Sequence, residues 1–456
     1  MMGRMNLIVW VVVLGVVLAS ASTQAAPKNV VLYVTDDQGS TDAGCYGNPV
    51  IKTPGLDTLA EAGTRFTHGF CTTPSCSASR SVILTGLHNH ANGQYGHAHS
   101  YHHFTTFDTV KSLPNRLREG GYRTASFGKY HVAPRAQYDF EFWGKDFMEG
   151  KGNTPSALAA GADAFIRADD ERPFFLYFCT QEPHRPFKRE EAAAVHPKDV
   201  LVPSFLPDNA ATRQELAEYY SSVEQADSGL VALIETLKDT GHWDDTLIIY
   251  ISDNGIAFPG AKTNCYEPGL RLPCVVRNPE VAQQGVVTNA MVTWADITPT
   301  ILDYTGLLPA DAAFHGRSFL SVLDQPAPEG WDRIFASHTF HEITMYYPMR
   351  VLRDRRYKLI WNLAHGLSFP FASDLWASKT WQHLVITDAT HFAKRPIEAY
   401  LHRPEFELYD LDVDPDEVKN LAEDPAYAEL LAEMQGRLKA QQQRTNDPWI
   451  LKWEHE

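Results

Sequence analysis

The sequence predicts an α/β sandwich with a large, mostly parallel central sheet, plus a smaller C-terminal α+β subdomain carrying an antiparallel sheet. Three observations predict it. Short apolar, β-rich runs alternate with helical patterns over the first part of the chain, the signature of a parallel sheet covered on both faces. Two of those runs end directly in acid or amide pairs. After about Ser318 the texture changes to short β-like pieces followed by one helix.

Taken in order, Asn29 to Thr35 reads as a buried strand that ends in Asp36 and Asp37. Pro54 suits a first helical turn, with Leu56, Leu59 and Ala60 on one face and Gly63 ending it. Thr64 to Cys71 is strand-like. Ser112 to Glu119 is helical and stops at Gly120-Gly121. Tyr122 to Phe127 and Pro173 to Cys179 are strands, and Thr212 to Lys238 is a long helix ending at Gly241. Thr246 to Ser252 is the last strand of this kind and closes on Asp253-Asn254-Gly255. Tyr347 to Val351, Tyr357 to Trp361 and Phe406 to Tyr409 are the later β pieces, before a helix from about Tyr427 to Gln442. Ligands of such sheets gather at the carboxyl ends of the strands, where the polar residues lie.

The 456 residues divide into an export leader (1–25), a catalytic domain (26–317) and a C-terminal subdomain (318–456). In the leader, Arg4 precedes an apolar run from Leu7 to Ala19, with small residues at Ala19-Ser20-Ala21 and Ala25 as cleavage sites. That run falls short of the ~20 residues of a bilayer span. It points to an exported, periplasmic or extracellular product. The formal charge of -16 argues against a nucleic-acid partner, which needs a basic face. A few cations in a cleft can still reverse the field locally for a small anion. Six cysteines are too few for a disulfide scaffold, and a Cys265–Cys274 pair is left open. No CxxC pair occurs, so no zinc site is expected.

Three constellations carry chemistry. Cys76-Ser77-Ala78-Ser79-Arg80 is followed by Thr85-Gly86; a lone cysteine there would be plain core. Asp36, Asp37, Asp253 and Asn254 are hard oxygen donors, suited to calcium or magnesium, although each pair alone is also a common turn. Arg80, Lys129, His131, His184 and Lys262 are cationic or can become so, as the oxygens of a small anion require.

Together these segments resemble the formylglycine-dependent (type I) sulfatase family, whose signature pairs the cysteine with an arginine four residues on. Gly128-Lys129-Tyr130-His131 and Pro183-His184 resemble two further family elements. Within the family, the sulfamidases (heparan N-sulfatases) are most similar, through Tyr95-Gly96-His97, His102-His103-Phe104, Asp253 to Pro259, His341 to Arg350 and Asn446 to Trp449. Lys262 departs from them, standing where they carry Arg.

The resemblance implies an alkaline-phosphatase-like fold and Cys76 oxidised to formylglycine by a formylglycine-generating enzyme or an anaerobic maturase. It implies one Ca2+ held by Asp36, Asp37, residue 76, Asp253 and Asn254. Arg80 and Lys129 then hold the hydrated aldehyde, while Lys129, His184 and Lys262 hold the sulfate. His131 serves as base and His184 protonates the leaving group. His97, His102, His341, Glu342 and Arg350 are candidates for sugar recognition. The implied activity is removal of sulfate from a sulfated saccharide, the N-sulfate of a non-reducing-end glucosamine, in glycosaminoglycan degradation, with a homodimer as the assembly. Alternatives are an O-sulfatase on another polysaccharide such as an algal glycan, a phosphonate or phosphodiester hydrolase of the same fold, and a silent carbohydrate-binding protein whose cysteine stays a thiol.

Overall fold

A computed structural model describes residues 28–146, 152–168, 170–187, 194–311 and 313–455. The expected leader lies outside them. Among the described residues no helix is long and apolar enough to cross a membrane.

The main sheet contains β1 (Asn29–Thr35), β2 (Thr64–Phe70), β3 (Arg123–Gly128), β4 (Phe142–Trp143), β5 (Phe174–Cys179), β6 (Thr246–Ser252), β7 (Arg271–Arg277) and β8 (Val286–Thr293). Their order is β4-β3-β5-β1-β6-β7-β2-β8. Only β7 is reversed, pairing antiparallel with β6 on one side and β2 on the other. The sequence reading stopped at β6, and the sheet continues through β7 and β8. β7 carries Arg271 and Arg277 at its ends, and β8 exposes Val287. Neither therefore reads as the uninterrupted apolar run that marks a central parallel strand.

Alternation along the central strands fills two cores. Val30, Leu32 and Val34 join Phe175, Tyr177, Leu247, Ile249 and Ile251 on one face. Val31 and Tyr33 join Phe174, Leu176, Phe178, Ile248 and Tyr250 on the other. Because both faces are covered, both sets of alternating residues must be apolar. The helix Ala210–Asp239 covers the second face with Leu230, Leu233 and Leu237, assisted by Leu158, Ala162 and Phe165 of the helix Pro155–Ile166.

The second sheet holds β9 (Arg333–His338), β10 (Met349–Asp354) and β11 (Tyr357–Asn362). After a short hairpin of β12 (His391–Phe392) and β13 (Arg395–Pro396), β14 (Phe406–Asp410) completes it. The order is β14-β11-β10-β9, antiparallel throughout. Leu352, Leu359 and Leu408 pack on Met434 and Leu438 of the helix Ala428–Thr445. Val351, Ile360 and Tyr409, alternating with them, join the main core instead. The smaller sheet is thereby fixed to the larger one. All six cysteines are free thiols.

Leu32 lies between Tyr177 and Ile249 in register and is fully buried. Leu32→Ala is expected to lower unfolding stability by about 2–5 kcal/mol, read from the urea midpoint; a loss under about 1 kcal/mol would show that this core does not carry the sheet.

Candidate active site

Register brings the polar residues together. Cys179 lies opposite both Val34 and Gly128, and Thr35 lies opposite Ser252. Four strands thus end at one level, and the residues that follow share one rim. Asp36 and Asp37 leave β1, Lys129 and His131 leave β3, His184 follows β5, and Asp253 and Asn254 leave β6. Gly128 is required at its position: its φ is 78° and a Cβ would sit 1.9 Å from the Cys179 carbonyl oxygen.

Cys76 opens the helix Cys76–Thr85, so unpaired N–H groups at the helix start surround it. The Ser75 hydroxyl makes no cap bond and instead pairs with His341 Nδ1 at 2.9 Å. Cys76 Sγ lies 3.9 Å from Asp37 Oδ1. One turn on, Arg80 Nε meets Asp253 Oδ2 at 2.8 Å, and its Nη1 donates to the Lys129 carbonyl at 2.9 Å. Lys129 Nζ is ion-paired with Asp36. Lys262 Nζ lies 3.0 Å from both Asp37 and Asp374.

Asp36, Asp37 and Asp253 each place one carboxylate oxygen within 4.8 Å of the others, with all three residues fully buried. Asn254 Nδ2 donates to Asp37 Oδ1 at 2.6 Å. Asp36 Oδ1 and Asn254 Oδ1 are buried acceptors without a partner. Buried acceptors are seldom left unpaired, and these belong to a compact set of hard oxygens. The set fits a divalent cation of the calcium or magnesium type. Asp37, His131 and Thr263 hold left-handed backbone, with φ of 71°, 54° and 65°. Such conformations cost of order 1–3 kcal/mol for a non-glycine residue and cluster at functional sites.

Burial raises the Asp36 carboxyl, but Lys129 and His184 outweigh it and hold it below its ordinary value. Burial, with Asp36 beside it, raises Asp253. Burial lowers Lys262, yet Asp37 and Asp374 keep it well above the usual lysine range. Burial pushes the Cys76 thiol well up, against the pull of Lys129 and Lys262. As an unmodified thiol, residue 76 is therefore a poor nucleophile.

Above this floor opens a cavity of about 770 Å³. Lys129, His131, His184 and Lys262 line it, as do His97, His102, His341 and Glu342. Cys76 itself is fully buried beneath them. His184 Nε2 lies 3.8 Å from Asp37 Oδ2. His97 Nε2 and His341 Nε2 are 3.0 Å apart, Ile343 N donates to His102 Nδ1, and Ser373 N and Oγ both donate to Glu342. Burial together with Lys262 lowers the basicity of His341, and burial together with Lys129 does the same for His131.

Arg350 corrects the sequence reading, because it does not face this cavity. Its guanidinium is clamped by Asp447 at 2.5 and 2.9 Å and stacks over Trp449, tying β10 to the C-terminal segment. Sequence reasoning missed Asp374, in the short helix Ser373–Trp376, and His99, whose Nδ1 meets His131 Nε2 at 2.7 Å. Asp374 carries no motif and is 112 residues from Lys262. His99 sits in a conspicuous histidine run, which was the available signal.

The sulfatase family profile matches residues 28–307. The chain belongs to the sulfatase family. Its class is accordingly that of the sulfate and sulfamate hydrolases. A second profile, N-sulphoglucosamine sulphohydrolase C-terminal, matches residues 261–369 of this sulfatase. The human N-sulphoglucosamine sulphohydrolase is 38% identical, over 94% of this chain and 92% of its own length. An ulvan-active sulfatase of Formosa agariphila is 29% identical over 93% of this chain and 82% of its own. Among solved structures, a protein in complex with its substrate D-glucosamine-2-N,6-O-disulfate superposes with a TM-score of 0.71 at 20% identity, covering 94% of this chain and 100% of that one. The phosphonate monoester hydrolase of Agrobacterium radiobacter reaches 0.70 at 21% identity, over 92% and 96%. These two show the shared fold, of the alkaline-phosphatase-like type expected from the sequence.

Lys262 and the surrounding burial act on Asp374: burial raises its carboxyl, and Lys262 and His184 bring it down to about 2. A depressed carboxyl stabilises the fold above its unfolded value and loses that contribution as pH falls through the folded one. Asp374→Asn should therefore cost about 2 kcal/mol at neutral pH. The gap from wild type should close between about pH 4 and about pH 2 in denaturant titrations. A gap independent of pH would show that the Lys262 pair contributes nothing.

Proposed function

We propose that this chain is an exported sulfatase that removes the N-sulfate from glucosamine at the non-reducing end of a sulfated saccharide such as heparan sulfate. The observation that carries the N-sulfate reading is the 38% identity to the human N-sulphoglucosamine sulphohydrolase across nearly the full length of both chains. The geometry supports sulfate chemistry generally: a residue at a helix N-terminus, beside a buried oxygen quartet, beneath a cavity walled by lysines and histidines. We assign the organisation accordingly, with 1–25 as leader, 26–317 as catalytic domain and 318–456 as subdomain.

Asp36, Asp37, Asp253 and Asn254 would hold Ca2+, together with residue 76 after a maturase has oxidised Cys76 to formylglycine. The ion would neutralise sulfate charge, and the modified residue would supply a hydroxyl nucleophile and a built-in release step. Arg80 is fixed against Asp253 and orients the floor. Lys129 and Lys262 offer ammonium donors to sulfate oxygens once the acids are satisfied otherwise. His131 would take a proton from the attacking hydroxyl. His184 delivers a proton to the leaving nitrogen. His97, His102, His341 and Glu342 shape the sugar pocket. A homodimer, as the sulfamidase resemblance implied, is part of the same proposal.

The O-sulfatase reading is favoured by the similarity to the ulvan-active enzyme. Glucosamine N-sulfate, a 6-O-sulfated hexosamine, a sulfated ulvan fragment and a phosphodiester should be compared at equal concentration. Preference for the N-sulfate by about tenfold or more in kcat/KM is expected. Preference for an O-sulfate would move the substrate class, and preference for the diester would remove the sulfatase assignment.

Cys76→Ala should keep the fold, read from its circular dichroism, and lose turnover altogether. The peptide bearing residue 76, isolated from the native host, should weigh less than its cysteine form. An unmodified peptide in a preparation that turns over substrate would contradict the formylglycine role.

A further inference from the structure

A second group of ligating atoms lies on the cavity wall, apart from the oxygen quartet. His97, His99 and His131 each place one ring nitrogen within 4.8 Å of the others. Their ring centroids form a nearly equilateral triangle with sides of 4.8, 4.9 and 4.8 Å. We propose that these three imidazoles form a separate site for a borderline divalent transition metal such as Zn2+, and that filling it inhibits the enzyme by immobilising His131.

The donor set decides the metal class. Three neutral imidazoles suit Zn2+ or Cu2+ and are poor ligands for calcium, whereas the carboxylates below show the opposite preference. The site is built rather than accidental. His97 is only 7% exposed. Its Nε2 is engaged by His341, whose other nitrogen is engaged by Ser75, and its Nδ1 is buried without a partner. A chain of this kind fixes the orientation and tautomer of a ligating imidazole. The backbone of His97 is anchored as well: its N–H donates to the His341 carbonyl, and its carbonyl accepts from Phe104.

His131 is equally constrained. Its φ of 54° sets the ring direction, and its carbonyl accepts from the Ser77 hydroxyl. Its Nε2 meets His99 Nδ1 at 2.7 Å, so one proton is shared between two nitrogens that would otherwise both present lone pairs. A metal between them replaces that hydrogen bond, and the proton moves to the far nitrogen of its own ring. His99 is exposed and can adjust to complete the geometry. Three protein ligands leave the fourth tetrahedral position facing the cavity, as in open zinc sites.

Metal binding here stands independently of the proposed reaction; only the inhibition rests on the role assigned to His131. The test is equilibrium dialysis of Zn2+ against the full chain in excess Ca2+, which keeps the oxygen site filled. Wild type and Asp253→Ala should each bind one Zn2+ at this site with equal affinity, and His99→Ala should bind about tenfold more weakly or worse. His99→Ala should keep the wild-type melting temperature, since the side chain is exposed. In parallel, wild-type turnover should fall with a midpoint at the measured dissociation constant, and His99→Ala should resist that inhibition. Equal Zn2+ affinity in wild type and His99→Ala, or affinity lost in Asp253→Ala, would overturn the site. Binding with no loss of turnover would overturn the inhibition alone. A chain that turns over no sulfated substrate would refute the functional reading while leaving the binding result intact.

Discussion

Three carboxylates without solvent contact lie side by side at the ends of two strands, and everything else at this site answers to them. Burying like charges this closely is expensive unless each has a partner. Asp36 has Lys129, Asp37 has Lys262 and Asp253 has Arg80. The match is one cation per acid, yet Asp36 Oδ1 and the amide oxygen of neighbouring Asn254 remain without a hydrogen bond. The same ammonium groups line the cavity above. A divalent cation among the acids would over-neutralise the set and loosen both lysines, turning them toward an anion in the cavity. In this way the site's charge balance couples cation binding to anion binding.

The fold is what makes such an arrangement tolerable. Parallel register brings four strand ends to one height, and two apolar cores hold that register from opposite faces. Local strain at Asp37 and His131 is then carried by a sheet that has little freedom to relax. The C-terminal portion is more than a prop. It delivers His341, Glu342 and Asp374 to the cavity, and Asp374 shares Lys262 with Asp37. Within it, Arg350 and Asp447 form a clamp that ties β10 to the C-terminal segment, while Val351, Ile360 and Tyr409 join it to the main core.

Much of this was legible in the residues. Asn29–Thr35 and Thr246–Ser252 are apolar between their polar end residues and are followed directly by acids, so strand and site were visible at once. What the residues alone did not reveal is the role of Cys76, which by itself reads as plain core and was singled out through family resemblance. β7 and β8 were not readable: one is reversed, the other is interrupted by Thr288 and Asn289, and neither shows an uninterrupted apolar run. Arg350 misled because it closes a stretch, His341 to Arg350, that resembles the sulfamidases, while its partner lies 97 residues away. Asp374 could not be found from sequence, because its role exists only through a long-range contact with Lys262.

Calcium dependence of thermal unfolding addresses the charge-balance account most directly. A ligand that binds only the folded chain stabilises it by about 2.7 kcal/mol at a hundredfold excess over its dissociation constant. The wild-type melting temperature should climb steadily with Ca2+ concentration, and that of Asp253→Ala should stay flat. A wild-type curve unmoved by calcium, or an identical climb in both proteins, would contradict the assignment of the buried acids to a cation.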